Sequence, residues 1–558
     1  MNTVKTILPL AAMAFLAQPA LAQTAVTVDV DAASSLGAYK PIWTYFGYDE
    51  PNYTNTPNGK KLLAELAALS RSPVYIRTHN LLTSGDGEGS LKWGSTNAYT
   101  EDAQGKPIYS WTILDGIFDA YRDAGVRPLV EIGFMPEALS IHPQPYRHDF
   151  PKTSITTGWA YPPKDYDKWA GLVSAWAQHA KERYGAAAVA TWKWEVWNEP
   201  DGKYWVAKPE EYDRFYDVTA AALKRVLPDA MVGGPHTTGP VVDTAAAYLQ
   251  QFLEHCAHAS GQSAQDPACA LDYVGFHAKG GPKFVDGHIE MGISRQLQSI
   301  QKGLEIAKSF AEFRSKPVIL GESDPEGCAA CTPATTPEDG YRNGALYGAY
   351  VVETTALTEA LAQQEGMDIE GAVTWAFQFE NLPYFSGMRD LATHGIDKPV
   401  LNAFRLMGML NGNRLAVHSS GALAVADVVQ HGIHGRADIN ATATRRGREI
   451  DVLVWNYGDD DVPASAAPVD LVVHGLPEDA LRVLSTHFRL DDTHSNAYTA
   501  WLAMNSPQSP TPEQQASLEA AGQLQTLGSP EWATPADGAV QLHFALSHSG
   551  VSLVRLSW

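Results

Sequence analysis

Residues 192–200 read Trp192-Lys193-Trp194-Glu195-Val196-Trp197-Asn198-Glu199-Pro200. An aromatic and β-branched run that stops at a proline reads as a buried strand with a marked end. A long amphipathic stretch, 166–184, precedes it and another, 209–226, follows it. Runs of the same kind recur at Ile42-Trp43-Thr44-Tyr45-Phe46, Val74-Tyr75-Ile76, Pro128-Leu129-Val130-Glu131-Ile132 and Met231-Val232-Gly233. Three more are Tyr273-Val274-Gly275-Phe276, Pro317-Val318-Ile319-Leu320 and Ala372-Val373-Thr374-Trp375. Helical periodicity fills the gaps at 60–70, 112–124, 245–255, 293–311, 342–362 and 398–410. Eight strand–helix alternations across residues 40–410 predict an α/β fold, a (β/α)8 TIM barrel. A doubly wound open sheet would instead bring a Gly-rich phosphate turn after its first strand. Gly85-Asp86-Gly87-Glu88-Gly89 is not that turn, because no helix follows, and it reads as a flexible loop.

The pattern changes on both sides of the barrel. From 411 to 558 it is all-β, with strand-like text at 450–457, 468–473, 480–490 and 540–556, interrupted by a helical insert at 512–525. This predicts an accessory β-sandwich. The alternating stretch at 25–30, within 23–39, is expected to join that sandwich, since a lone strand must pair with something. Residues 1–22 read as a signal peptide: Lys5, an apolar run, then Ala20-Leu21-Ala22 as a cleavage site before Gln23. The run is shorter than the ~20 residues a membrane span needs. The mature chain is therefore expected to be exported, periplasmic or secreted, with no membrane attachment. Cys256, Cys269, Cys328 and Cys331 suit that compartment as two disulfides. Local pairing, Cys256–Cys269 and Cys328–Cys331, is the expected connectivity. Cys328-x-x-Cys331 lies in a Pro- and Thr-containing loop rather than at a helix start, which disfavours a redox motif.

A net charge of −22, from 41 Lys+Arg against 63 Asp+Glu, repels phosphate backbones and excludes general nucleic-acid binding. It is mainly a solubility feature. The 15 Trp and 23 Tyr supply rings that pack cores and also stack on sugars. Trp192, Trp194, Trp197 and Trp375 are expected near the cleft. Nothing in the sequence specifies an oligomeric state.

In a barrel, chemistry gathers at the C-terminal ends of the strands. The fourth strand delivers Asn198-Glu199-Pro200 there, and the seventh delivers Gly321-Glu322-Ser323-Asp324-Pro325. Two carboxylates held across a rigid cleft are what glycosidic cleavage requires, one protonated to serve the leaving oxygen and one ionised. Asn198 beside Glu199 can bond a sugar 2-hydroxyl if the twisting strand end presents both. That chemistry needs only carboxylates and water, so no metal or organic cofactor is implied.

Trp197-Asn198-Glu199-Pro200 with Gly321-Glu322-Ser323-Asp324-Pro325-Glu326-Gly327 resembles glycoside hydrolase family 39, the β-xylosidases and α-L-iduronidases. Arg77-Thr78-His79, the stretch from Asp272 to His277, Trp375, Asp397-Lys398-Pro399 and the stretch from Asp491 to Tyr498 extend the likeness over essentially the whole mature chain. The resemblance implies a retaining exo-glycosidase, with Glu199 as general acid/base and Glu322 as nucleophile, acting on xylo-oligosaccharides or a related small glycoside. It implies sugar contacts from His79 and His277 and a Trp375 platform; Glu380 and Asn381 are lesser candidates from their place just past the eighth strand. Lys279 matches the His-x-Lys-Gly pattern of the iduronidases, where a cation would meet a uronate carboxylate. A Cys328–Cys331 disulfide would stiffen the loop beside Glu322.

Overall fold

Eight parallel strands close into a barrel: β1 (Tyr45–Tyr48), β2 (Tyr75–Thr78), β3 (Arg127–Ile132), β4 (Lys193–Val196), β5 (Met231–Thr237), β6 (Tyr273–Lys279), β7 (Val318–Asp324) and β8 (Ile369–Trp375). The computed structural model describes residues 24–142, 147–150, 153–156, 159–258 and 268–558, so the expected signal peptide lies outside the described residues. Barrel neighbours are sequence neighbours, and β8 pairs with β1 to complete the ring. Each strand is followed by a principal helix: α1 (Pro57–Ala68), α2 (Thr112–Ala124), α3 (Tyr166–Tyr184), α4 (Pro209–Val226), α5 (Asp243–His258), α6 (Ile293–Ser309), α7 (Ala345–Glu365) and α8 (Pro399–Met409).

Local chemistry sets the boundaries. The expected first strand begins three residues late, because the Thr44 hydroxyl and N–H both turn back to the Pro41 carbonyl. The helix expected over 342–362 divides at Gly344 into a 3-10 turn, Pro337–Asn343, and α7. Pro57 opens α1 beneath a Thr56 cap, and Gly125 and Gly366 close α2 and α7 in the left-handed conformation. The loop at 85–89 is tied down rather than flexible: Asn52 Nδ2 donates to the Gly87 carbonyl and Gly85 N–H donates to Asn97.

Rings fill the lower barrel, where Tyr45 stacks on Tyr75 at 4.7 Å beside Leu129, Tyr273, Ile319 and Val373. Glycine on the neighbouring strand makes room for them. A Cβ on Gly233 would come within 2.1 Å of the Tyr273 ring. Above this layer the interior becomes charged.

The remaining strands are β9 (Asn413–Ser419), β10 (Asp438–Arg446), β11 (Glu449–Tyr457), β12 (Ala467–His474), β13 (Val483–Leu490), β14 (Val540–Leu546) and β15 (Val551–Ser557). They form one continuous ladder through the N-terminal strand Val26–Ala38, which pairs with β9 on one side and β12 on the other. Register shifts between Asp31 and Ser35 and between Ser35 and Ala38 interrupt its pairing with β9. Alternation explains the apolar run Val452-Leu453-Val454-Trp455 in β11, which has a core on each face. Val452 and Val454 join the core that also holds Val469, Leu471 and Val473. Leu453, Trp455 and Tyr457 face the other way and join the barrel core, against α7. Both disulfides, Cys256–Cys269 and Cys328–Cys331, are formed.

Candidate active site

The barrel's open end holds a cavity of about 610 Å³, within the range of small-ligand pockets. Asn198, Glu199, Lys279, Glu322 and Trp375 line it, together with Asp49, His79, Lys92 and Tyr204.

The turn after β4 aims its two polar residues. Trp197 and Glu199 both have positive φ, 70° and 42°. Such values are strained for residues with bulky side chains, so the surroundings must hold them. The buried Trp197 ring packs on Phe134, Trp205 and Phe215, and its Nε1 donates to the Tyr204 carbonyl at 2.8 Å. Glu199 N–H donates to the His236 carbonyl at 3.0 Å. Arg77 Nη2 donates to Asn198 Oδ1 at 2.9 Å. Asn198 Nδ2 has no partner among the described residues and is the amide's remaining donor.

Glu322 on β7 sits among cations. Lys279 Nζ lies 2.5 Å from its Oε2 and Arg77 Nη1 lies 3.2 Å from its Oε1. Burial alone would raise its pKa. Lys279 and Arg77 overcome that and hold the carboxyl well below its ordinary value. Glu199 moves the other way. Burial, and then the negative charge of Glu322, push it up to about 7 despite opposition from Lys279, His79 and Arg77. A Glu199 oxygen and a Glu322 oxygen lie within 4.8 Å of one another. The site therefore holds one carboxylic acid and one carboxylate at close range.

A charged layer under the cavity supports this split. Arg77, fully buried, also contacts Glu195 at 2.6 Å and Glu131 at 3.1 Å. Glu195 is opposed by burial but held down to about 2 by Arg77 and His236. Glu131 is shifted the other way, its pKa raised by burial and by Glu195 against the opposition of Arg77. The sequence reading assigned no role to this layer or to Asp49 and Lys92. A charged residue inside an apolar strand was the available signal for Glu195, Glu131 and Arg77, because a buried charge must be paired.

Other expected residues have different neighbours from those anticipated. His79 has both ring nitrogens engaged: Nδ1 lies 2.7 Å from Asp49 Oδ1, and Nε2 lies 3.1 Å from Glu131 and 3.3 Å from Arg77. His277 Nδ1 lies 2.9 Å from Glu199 Oε1 and 3.7 Å from Glu322. Burial drives its pKa well below the ordinary value, so the imidazole is neutral. His79 thus holds Asp49 and Glu131 through its two nitrogens, and His277 holds Glu199 through Nδ1 while its Nε2 has no hydrogen-bond partner among the described residues. Lys279 is shared between Glu322 and Asp324, the latter at 2.6 Å. Glu380 lies away from the cavity and accepts from Thr56 Oγ1 at 2.7 Å and Gln378 at 2.9 Å, beside the start of α1. Asn381 is exposed, with φ of 59°.

Of the four tryptophans expected near the cleft, Trp375 alone lines it, with the Arg77 guanidinium 4.9 Å from its ring centroid. A Cβ on Gly47 would come within 2.3 Å of that ring. Alternation explains the others: Glu195 points into the barrel, so Trp194 points out toward Trp176 and Trp192. Trp197 is consumed in the turn.

The sequence profile of glycosyl hydrolases family 39 matches residues 26–541. The chain belongs to this family. It is a glycoside hydrolase built on a TIM barrel. A family 39 relative, the β-xylosidase of Geobacillus stearothermophilus, is 27% identical over 501 residues, covering 86% of each chain. The α-L-iduronidase of Mus musculus is 26% identical over 539 residues, covering 90% of this chain and 76% of its own. Among solved structures, a monomeric β-xylosidase from Caulobacter crescentus CB15 superposes with a TM-score of 0.74 at 22% identity, covering 95% of this chain and 99% of the other.

Proposed function

We propose that this family 39 hydrolase is an exported, retaining, exo-acting β-xylosidase that releases xylose from the non-reducing ends of xylo-oligosaccharides. The observation that carries the mechanism is the opposed protonation of two close carboxyls, Glu199 raised to about 7 and Glu322 held well below its ordinary value. Retaining pairs stand about 5–5.5 Å apart and inverting pairs about 6.5–9.5 Å, so a closest approach within 4.8 Å favours retention.

In the first step a Glu322 oxygen bonds the anomeric carbon, the glycosidic C–O bond breaks, and the Glu199 proton goes to the departing oxygen. Esterification removes the Glu322 charge that helped to raise Glu199, so Glu199 becomes a base. It then takes a proton from water while the water oxygen bonds the anomeric carbon and Glu322 leaves as carboxylate. In this reading Asn198 Nδ2 donates to the sugar 2-hydroxyl, which is supported by its being a buried donor without a partner among the described residues.

Xylose is favoured by the β-xylosidase relatives and by the state of the cations. Lys279 is already held by two carboxylates. Lys92 is buried against Asp49 at 3.2 Å. A uronate would have to compete for either one. The α-L-iduronidase reading is the second, favoured by relatives such as the mouse enzyme and by the His277-x-Lys279 spacing. Export is supported by residues 1–22 and by two disulfides.

Side-by-side turnover of aryl β-xyloside, β-glucoside, α-L-arabinoside and α-L-iduronide separates the readings, and β-xyloside is expected to be cleaved fastest. Glu322→Ala is expected to lose that turnover and, with azide, to yield the α-xylosyl azide. An active Glu322→Ala variant removes the nucleophile assignment.

A further inference from the structure

The connection from β6 to α6 carries a hairpin, Lys283–Val285 and His288–Glu290, turned by Asp286 and Gly287 with φ of 48° and 88°. Positive φ at both residues is the type I′ geometry that fixes a two-residue hairpin. His288 and Glu290 therefore share one face of the strand, while Ile289 between them is buried. An antiparallel bridge joins Glu290 to Asp460, on the loop after β11. Asp461 N–H donates to the Ile289 carbonyl at 2.8 Å and Met291 N–H to the Asp459 carbonyl at 2.9 Å. Backbone pairing from two separate parts of the fold thus fixes where three side chains meet. One ligand atom from each of His288, Glu290 and Asp460 lies within 4.8 Å of the other two. His434 Nδ1 stands 2.7 Å from Asp460 Oδ1.

We propose that His288, Glu290 and Asp460 bind a divalent transition-metal ion of the zinc class, with His434 orienting the Asp460 carboxylate. An imidazole with two carboxylates suits such an ion better than calcium or magnesium, which prefer oxygen alone. The two carboxylates balance its charge. Three protein ligands leave a fourth tetrahedral position for water. Bonds of about 2.0–2.2 Å require the ligand atoms to draw closer together, which half-buried side chains at a loop can do by rotation. A hydrogen bond to the ligating carboxylate, here from His434, is the usual outer support of such a site. No lysine or arginine pairs with Glu290 or Asp460 among the described residues. Glu199, His277 and Glu322 also lie within 4.8 Å of one another, but Lys279 and Arg77 already neutralise Glu322 and oppose a cation there.

The ion would tie the hairpin to the C-terminal sheet. Gly280, Gly281 and Pro282, just before the hairpin, line the catalytic cavity, so the clamp braces one of its walls. The inference does not depend on which glycoside is cleaved.

The test is titration of the chelator-treated full chain with Zn²⁺ alone, followed by calorimetry and thermal melting. One equivalent is expected to bind in the micromolar range and to raise the melting temperature. His288→Ala, on the exposed hairpin, and separately Glu290→Gln are each expected to weaken binding by at least about tenfold and to abolish the melting shift. Glu199→Gln is expected to retain both. Absence of a bound equivalent, unchanged binding in both hairpin variants, or loss of binding in Glu199→Gln would each overturn the site.

Discussion

Lys279 Nζ lies 2.5 Å from Glu322 Oε2, and this contact keeps ionised a carboxyl that burial would otherwise protonate. Lys279 thus has a use that needs no charge on the substrate. Replacing it tests that use directly. In Lys279→Met the leading opposing charge is gone, though Arg77 remains at 3.2 Å. The Glu322 pKa rises, and because the ionised form is the active one, activity is lost at higher pH on the acid side. The acidic limb of the kcat/KM profile should move up by about 1–3 pH units on neutral aryl glycosides. Circular dichroism and melting establish that the variant folds. An unmoved acidic limb would refute the electrostatic account.

The basic limb belongs to Glu199. Its protonated form donates to the leaving group, so kcat/KM should fall as pH rises through about 7. Burial and the Glu322 charge both raise this pKa, and only the second can be removed without disturbing the barrel. Glu322→Gln keeps the shape and deletes the charge. The Glu199 carboxyl, followed by carbon-detected NMR of labelled glutamate, should then titrate below its value in the unaltered enzyme. Titration at the same pH in both proteins would mean that Glu322 does not govern its partner.

Asn198 offers a third test. Arg77 occupies its Oδ1 at 2.9 Å, which fixes the amide and leaves Nδ2 as a buried donor without a partner among the described residues. A sugar 2-hydroxyl meeting that donor relieves an orphaned polar group as well as binding substrate. Asn198→Ala should lower kcat/KM for aryl β-xylosides by about 10²–10³-fold, mainly in kcat, since contacts to the 2-hydroxyl strengthen in the transition state. The same substitution should cost little on the 2-deoxy glycoside. Equal losses on the two substrates would place the amide elsewhere in the mechanism.

The barrel was legible because its signals are local and repeat. Strand runs alternate with helical periodicity, and α2, α3 and α4 fall on the expected spans. Glu199 and Glu322 were legible because each ends a strand, where a barrel gathers its chemistry. Lys92 was not, because a long loop without periodicity carries it to Asp49. The carboxylate partners of His79 and His277 were not legible for another reason. A strand-end histidine can face a ligand or a neighbouring carboxylate, and only the assembled barrel shows Asp49 and Glu199 beside them. The tryptophans show the limit of composition. Alternation along β4 puts Glu195 inward and Trp194 outward in the barrel, whereas the abundance of rings had suggested a cleft. The C-terminal ladder was foreseen as strands, but its continuity depends on the N-terminal strand pairing across a gap of nearly 400 residues in sequence.

That long-range closure has a counterpart in the barrel, and it yields a test of stability separate from chemistry. Gly408 lies near the end of α8, where the last helix of the barrel passes the end of the first. A Cβ at Gly408 would come within 1.8 Å of the Leu69 carbonyl oxygen, and Trp43 lies beyond at 3.5 Å. The obstacle is backbone, so no side-chain rotation relieves it, and α8 must move away from α1. In an open helix surface Gly→Ala would stabilise by limiting the unfolded chain. Here the sign reverses, since overpacking a dense core costs about 1–3 kcal/mol and can cost more against rigid backbone. Gly408→Ala should lower the unfolding free energy by that amount, read as a lower denaturation midpoint at unchanged slope, while leaving kcat per folded molecule unchanged, because the site is built on the strand ends. A stabilised Gly408→Ala protein would show that the two helices are not held at this distance in solution.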